Sequence, residues 1–326
     1  MIYFELGAQT PLPDGYKSGT PVLPFGKHRQ QAANPDGGRK VSRRRFCATL
    51  ALCGLAPHAF AAALAGEGPA LRIGLTPVFL DDQSTFLEAW RVYLTERLQR
   101  PVVFVQRGSY REIVDLLGQD QLDAAWLCGF PFVRHERRLR LLAVPLFQGK
   151  PLYRSYLIVP AGDTHTKSLL DLRGKVFAYS DPDSNSGFLY TQFALAQIRE
   201  RSEVFFARTF YTWSHRKVVD AVAVELAQGG AVDGYVWETL QRSHPQLTAR
   251  TRVVAQSPEF GFPPFVARAT LPASEFTALR QALIDMRGND EGRKLLRQLN
   301  LDGFTPGKRK LYDGIARMAE KMANRP

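Results

Sequence analysis

Apolar residues follow two rhythms between residues 70 and 320, and their alternation predicts an α/β protein. Short aliphatic runs read as strands: LRIGL at Leu71–Leu75, PVVFVQ at Pro101–Gln106, LDAAWL at Leu122–Leu127, Leu141–Phe147, YRSYLIV at Tyr153–Val159 and VFAYS. Further strands are predicted at Phe205–Tyr211, Val232–Val236, Arg252–Ala255 and Phe265–Ala267. Between them lie segments of helical period, from about Ser84 to Leu98, along GSYREIVDLL, after Gly187 and after Ser214. From Ala273 to the end the pattern is helical, broken near LDGFTPG. Ser109 and Glu112 stand at capping-box spacing.

Residues 1–65 lack this pattern. The first forty are rich in Pro, Gly and Gln, and are followed by SRRRFCATLALCGLAPHAFAAALAG. Ser42-Arg43-Arg44-Arg45-Phe46 matches a twin-arginine export signal, with an apolar stretch to Ala56 and small-residue cleavage sites at Ala59-Phe60-Ala61 or Ala63-Leu64-Ala65. Pro57 and His58 interrupt the stretch, which is too short to span a bilayer. The expectation is a cleaved leader and a mature chain in the periplasm, reached through the twin-arginine export machinery. Cleavage removes Cys47 and Cys53 and leaves Cys128, so the mature chain has no partner for an internal disulfide.

At 326 residues and 45% hydrophobic content, the chain can bury about two cores. The net charge of +12 suggests nucleic acid until it is divided by region. The leader holds 8 Lys/Arg against 3 Asp/Glu, leaving 35 against 28 dispersed over the remainder. The densest clusters, HERRLR and GKRK, read as solvated faces, so no nucleic-acid partner is expected and the chain is expected to be a monomer. A mildly cationic body still draws small anions toward a cleft.

Candidate chemistry lies where strands meet helices. Three such junctions carry hydroxyl residues: Ser109-Tyr110, Ser184-Asn185-Ser186-Gly187 and Ser214-His215. A helix start exposes about four unpaired N–H groups and about half a positive charge. In open α/β sheets these starts converge beyond the carboxyl ends of the strands. Two hydroxyls, an amide and a glycine exceed what one cap needs, which points to an anion held without Lys or Arg. The competing reading is structural: a cap at Ser184, a satisfied histidine at His215, a packed ring at Tyr110.

The order and spacing of these pieces resemble the phosphonate/phosphite/phosphate-binding proteins of bacterial ABC importers. The resemblance runs over nearly all of 70–300. It is carried by Tyr110 ahead of IVDLL, by LDAAWLCGFPF, by YRSYLIV, by SLLDLRGKVFAYSDPDSNSG, by SHRKVVDAVAVELAQGGAVDG and by SPEFGFPPFV. It implies a two-lobed type II periplasmic binding protein fold with a ligand cleft between the lobes. One lobe would be 66–152 plus 264–326, the other 153–263. It also implies ligand contacts at Tyr110, Ser184, Asn185, Ser186, Gly187 and His215, with Tyr153 as a second cleft tyrosine. An inner-membrane ABC permease would be the partner, with no cofactor and no metal ion. Asn185 departs from the family's threonine. Where binders of amine-carrying phosphonates place an acidic residue before a proline, this chain has Pro263-Pro264. Glu238 is the remaining candidate for an amine, so a bare phosphorus oxyanion is favoured.

Two other functions compete with this one. A periplasmic sensor of the same fold, tuned to another oxyanion, has nothing in the sequence to separate it from a transporter component. An exported phosphoester hydrolase would need an activated nucleophile or a metal cluster. The chain has no GxSxG or HExxH, and its six His are scattered.

Overall fold

The structure is a computed structural model and describes residues 68–76 and 84–324. The twin-arginine leader expected in residues 1–65 lies outside the described residues.

Thirteen strands are described, and they form two main sheets. The first contains β1 (Leu71–Leu75), β2 (Val102–Gln106), β3 (Ala124–Trp126), β4 (Leu139–Leu146), β12 (Phe265–Arg268) and β13 (Gly303–Thr305). Their order is β13-β4-β12-β3-β1-β2. β1 runs parallel to β2 and β3, with Leu71 opposite Val102 and Ile73 opposite Ala124, whereas β12 is antiparallel to both β3 and β4. The second sheet contains β6 (Ser155–Pro160), β7 (Val176–Tyr179), β8 (Arg208–Tyr211), β9 (Gly229–Asp233) and β10 (Thr251–Gln256), in the order β10-β6-β9-β7-β8. Between them in sequence, β5 (Leu152–Tyr153) pairs with β11 (Phe260–Gly261), Tyr153 opposite Phe260. The chain therefore leaves the first sheet through β5 and returns through β11.

Central parallel strands are covered on both faces, which explains their nearly continuous apolar runs. Helix Ser84–Leu98 buries Phe86, Leu87, Trp90, Tyr93 and Leu94 at helical spacing. Trp90 is fully buried and meets Trp126 and Phe265 edge-on, at ring separations of 6.2 and 5.8 Å.

Four segments differ from the sequence expectation. The run at Tyr153–Val159 divides between β5 and β6. Residues Ser202–Phe205 form a helical turn, so β8 begins only at Arg208. The strand expected at Val232–Val236 ends at Asp233 and helix Gly234–Ser243 starts there, because the Asp233 side chain caps the N–H groups of Tyr235 and Val236. The break near LDGFTPG is itself a strand, β13, paired antiparallel with β4.

Candidate functional site

The Ser184 hydroxyl accepts from the Gly187 N–H at 3.0 Å and so caps a π-helical turn, Asn185–Leu189, that leads into helix Tyr190–Gln197. Ser184, Asn185 and Ser186 are completely buried. Short polar contacts fix the turn from outside. Ser155 Oγ donates to the Ser186 carbonyl at 2.6 Å, Asn185 N–H donates to Cys128 Sγ at 3.2 Å, and Asn185 Nδ2 donates to the Tyr153 hydroxyl at 2.9 Å. Gly187 is required by close approach. A Cβ there would lie 1.8 Å from Ser180 Oγ and 3.0 Å from His215 Cε1.

His215 begins helix His215–Ala223 behind the Ser214 N-cap. Its Nδ1 accepts from the Asp233 N–H at 3.1 Å, which places the ring proton on Nε2. That nitrogen stands 3.4 Å from Ser184 Oγ. Burial pushes the imidazole down to about 3, so it is neutral and offers one N–H. The nitrogen nearest Ser184 is thus the donor, which cannot take a proton from the serine.

Tyr110 opens helix Tyr110–Gly118 behind the Ser109 cap, and its N–H donates to Asp181 Oδ2 at 3.0 Å. Burial holds the phenol of Tyr110 well above its ordinary range, with the Ser184 hydroxyl beside it working the other way. Burial does the same to Tyr153, opposed first by the Asn185 amide; the Ser186 hydroxyl lies near the phenol oxygen without hydrogen-bond geometry. Both rings are therefore neutral phenols. All seven residues singled out in the sequence stand in one buried cluster.

Sequence reasoning missed four residues of this cluster. Ser180 follows β7, the strand that feeds the turn, and its hydroxyl faces Gly187. Cys128 supplies a sulfur acceptor, with burial pushing its thiol up to about 11. Asp181 holds the N–H groups of Tyr110 and Asp183. Asp233 is pushed by burial up to about 8, against the pull of two backbone donors. A hydroxyl directly after a strand was the available signal for Ser180; the other three carry none.

Three polar atoms in this cluster are buried with no hydrogen-bond partner: Ser180 Oγ, Asn185 Oδ1 and Ser186 Oγ. Each such atom costs about 1–3 kcal/mol unless something satisfies it. Among the described residues no Lys or Arg side chain is buried. Arg111 and Arg134 are exposed and hold Asp183 at 3.8 and 2.7 Å. The cluster is uncharged apart from its carboxyl groups, built of dipoles, and short of partners.

Glu238, the sequence's candidate for an amine, lies in a neighbouring polar cavity of about 340 Å³ that Tyr153 also lines. Both its oxygens are engaged, one by the Tyr156 hydroxyl and the other by Gln148 Nε2 at 2.7 Å. Among the described residues no group of three or more His, Cys, Asp or Glu could hold a metal ion, and no helix is long and apolar enough to cross a membrane.

Residues 73–312 match the family of ABC-transporter, phosphonate, periplasmic substrate-binding proteins. The chain belongs to this family. Among curated relatives it is 27% identical to the phosphate-import protein PhnD of Mycolicibacterium smegmatis over 150 residues, 43% of this chain. It spans about half (46%) of that relative's length. Two solved structures share the two-lobed periplasmic binding protein fold. PhnD1 from Prochlorococcus marinus, in complex with methylphosphonate, has a TM-score of 0.71 at 18% identity over 78% of this chain and 99% of its own. A binding-protein component of an ABC phosphonate transporter from Pseudomonas aeruginosa has a TM-score of 0.70 at 21% identity, over 77% and 85%.

Proposed function

We propose that this chain is a non-catalytic periplasmic receptor that encloses a phosphorus oxyanion (phosphate, phosphite or a simple phosphonate) and presents it to an inner-membrane ABC permease. The lobes are 66–152 plus 264–326 and 153–263, and the leader directs export by the twin-arginine route. Tyr110, Tyr153, Ser184, Asn185, Ser186, Gly187 and His215 line the ligand, with Ser180 added.

The observation that carries this reading is the set of three buried, unpartnered polar atoms beside a helix start. A tetrahedral anion placed there supplies acceptors for Ser180 and Ser186 and for the Nε2 proton of His215. Each charge-assisted bond contributes about 1.5–3 kcal/mol, so several of them reach micromolar affinity, about −8 kcal/mol. Neutral donors suit an anion that must later leave, since no buried cation has to be abandoned. Family membership and the phosphate-import role named for the Mycolicibacterium relative point the same way.

Calorimetric titration with phosphate, phosphite and methylphosphonate tests the proposal. At least one should bind with micromolar or better affinity, and Ser184→Ala with Ser186→Ala should abolish that binding. Binding that survives the double substitution puts the ligand elsewhere.

A further inference from the structure

Asn185 stands where the resemblance leads one to expect threonine, and the difference is chemical as well as steric. A hydroxyl can donate or accept, whereas the two ends of an amide have fixed roles. One N–H of the Asn185 amide donates to the Tyr153 hydroxyl at 2.9 Å, which fixes Nδ2 as the donor end. The Oδ1 end is completely buried and has no donor. The other two unpartnered atoms, on Ser180 and Ser186, are hydroxyls and can donate to an anion. The His215 proton faces the Ser184 side. The unpartnered atoms of the cluster are therefore two hydroxyls that can donate and one oxygen that can only accept.

We propose that Asn185 Oδ1 makes this receptor selective for oxyanions that carry an O–H, so that hydrogenphosphate and protonated phosphonates bind and sulfate is rejected. This deepens the receptor reading and rests on it. Phosphate near neutral pH, and methylphosphonate as its monoanion, keep a P–O–H group, which donates to Oδ1 while the remaining oxygens accept from Ser180, Ser186 and His215. Sulfate is fully ionised under the same conditions and has acceptors only. Whichever way it turns, one of its oxygens faces the amide oxygen, lone pairs against lone pairs. Size and shape do not separate the two anions; the single proton does. A site built to receive a hydrogen bond penalises the analogue that lacks it more than a site that merely adds contacts.

The test is calorimetric titration of the full chain, freed of bound anion, with phosphate, methylphosphonate and sulfate in one mildly acidic buffer. Sulfate should bind on the order of 10–100-fold more weakly than phosphate. In Asn185→Thr the gap should narrow at least tenfold, because the hydroxyl can donate to sulfate. Should that variant fail to fold, the comparison in the native chain decides alone. Sulfate binding as tightly as phosphate, and lost with Ser184→Ala/Ser186→Ala, overturns the selectivity while leaving the receptor reading intact. An unchanged gap in a folded Asn185→Thr protein also overturns the role of Asn185. If none of the three anions binds, the receptor reading fails and this inference with it.

Discussion

Removing the Ser186 hydroxyl separates a binding role from a structural one, because the two roles predict opposite effects on stability. Ser186 Oγ is buried and unpartnered, and its residue is otherwise held by the Ser155 hydroxyl on its carbonyl. In Ser186→Ala the desolvation penalty of that oxygen, about 1–3 kcal/mol, disappears, offset by slightly poorer packing. Without ligand the variant should be at least as stable as the native chain. For a folded unit of this size each kcal/mol moves Tm by about 2–4 °C, so a rise of up to several degrees is expected. With ligand one charge-assisted hydrogen bond is missing, about 1.5–3 kcal/mol, so affinity should fall about 10–150-fold. Thermal unfolding with and without phosphate or methylphosphonate, paired with calorimetric titration, reads both quantities. A variant that melts several degrees lower without ligand and binds as before would refute the reasoning, since Ser186 would then be structural.

Gly187→Ala should act in the opposite sense. The new Cβ meets Ser180 Oγ at 1.8 Å, so Ser180 and His215 must shift, at a cost of about 1–3 kcal/mol and with loss of binding. Ser180→Gly in the same chain should restore much of the stability, measured by urea unfolding, without restoring affinity. For pH, His215 has its pKa pushed from 6.5 down to about 3, so below 6.5 the unfolded chain takes up a proton the folded one refuses, and stability falls on acidification. Asp233 is pushed from 3.8 up to about 8, so across that span the folded chain keeps a proton the unfolded one has lost, and stability falls as pH rises. The two effects cancel between about 3.8 and 6.5, leaving a net decline of about 1.4 kcal/mol per pH unit from 6.5 to 8. Thermal unfolding of native and Asp233→Asn protein across this range checks it: the decline should disappear in the variant, and its persistence would assign it to another group.

The segments whose structure was legible in the sequence are those whose periodicity closes within a few residues. LRIGL forms β1 as read, helix Ser84–Leu98 has the expected bounds, and Ser109, Ser184 and Ser214 each stand at a helix start. The failures share a physical cause. Val232–Val236 (VDGYV) is too short to separate strand from helix by its pattern, and the choice falls at Asp233, where one carboxyl captures two backbone N–H groups. Gly303–Thr305 is too short to show a strand period, and it becomes one because β4 offers it a free edge.

The binding cluster divides along the same line. Local sequence determined that Ser184 to Gly187 would cap a helix with polar groups to spare, because capping needs only three or four neighbouring residues. Tertiary structure decided what surrounds that turn. Tyr153 arrives through β5, Cys128 from the junction after β3, and Asp181 reaches across to the first turn of helix Tyr110–Gly118. The Asp233 N–H selects the His215 tautomer from eighteen positions away. Whether a polar atom finds a partner depends on groups brought close by sheet pairing, so no local pattern reveals that Ser180, Asn185 and Ser186 are left with bonds to make.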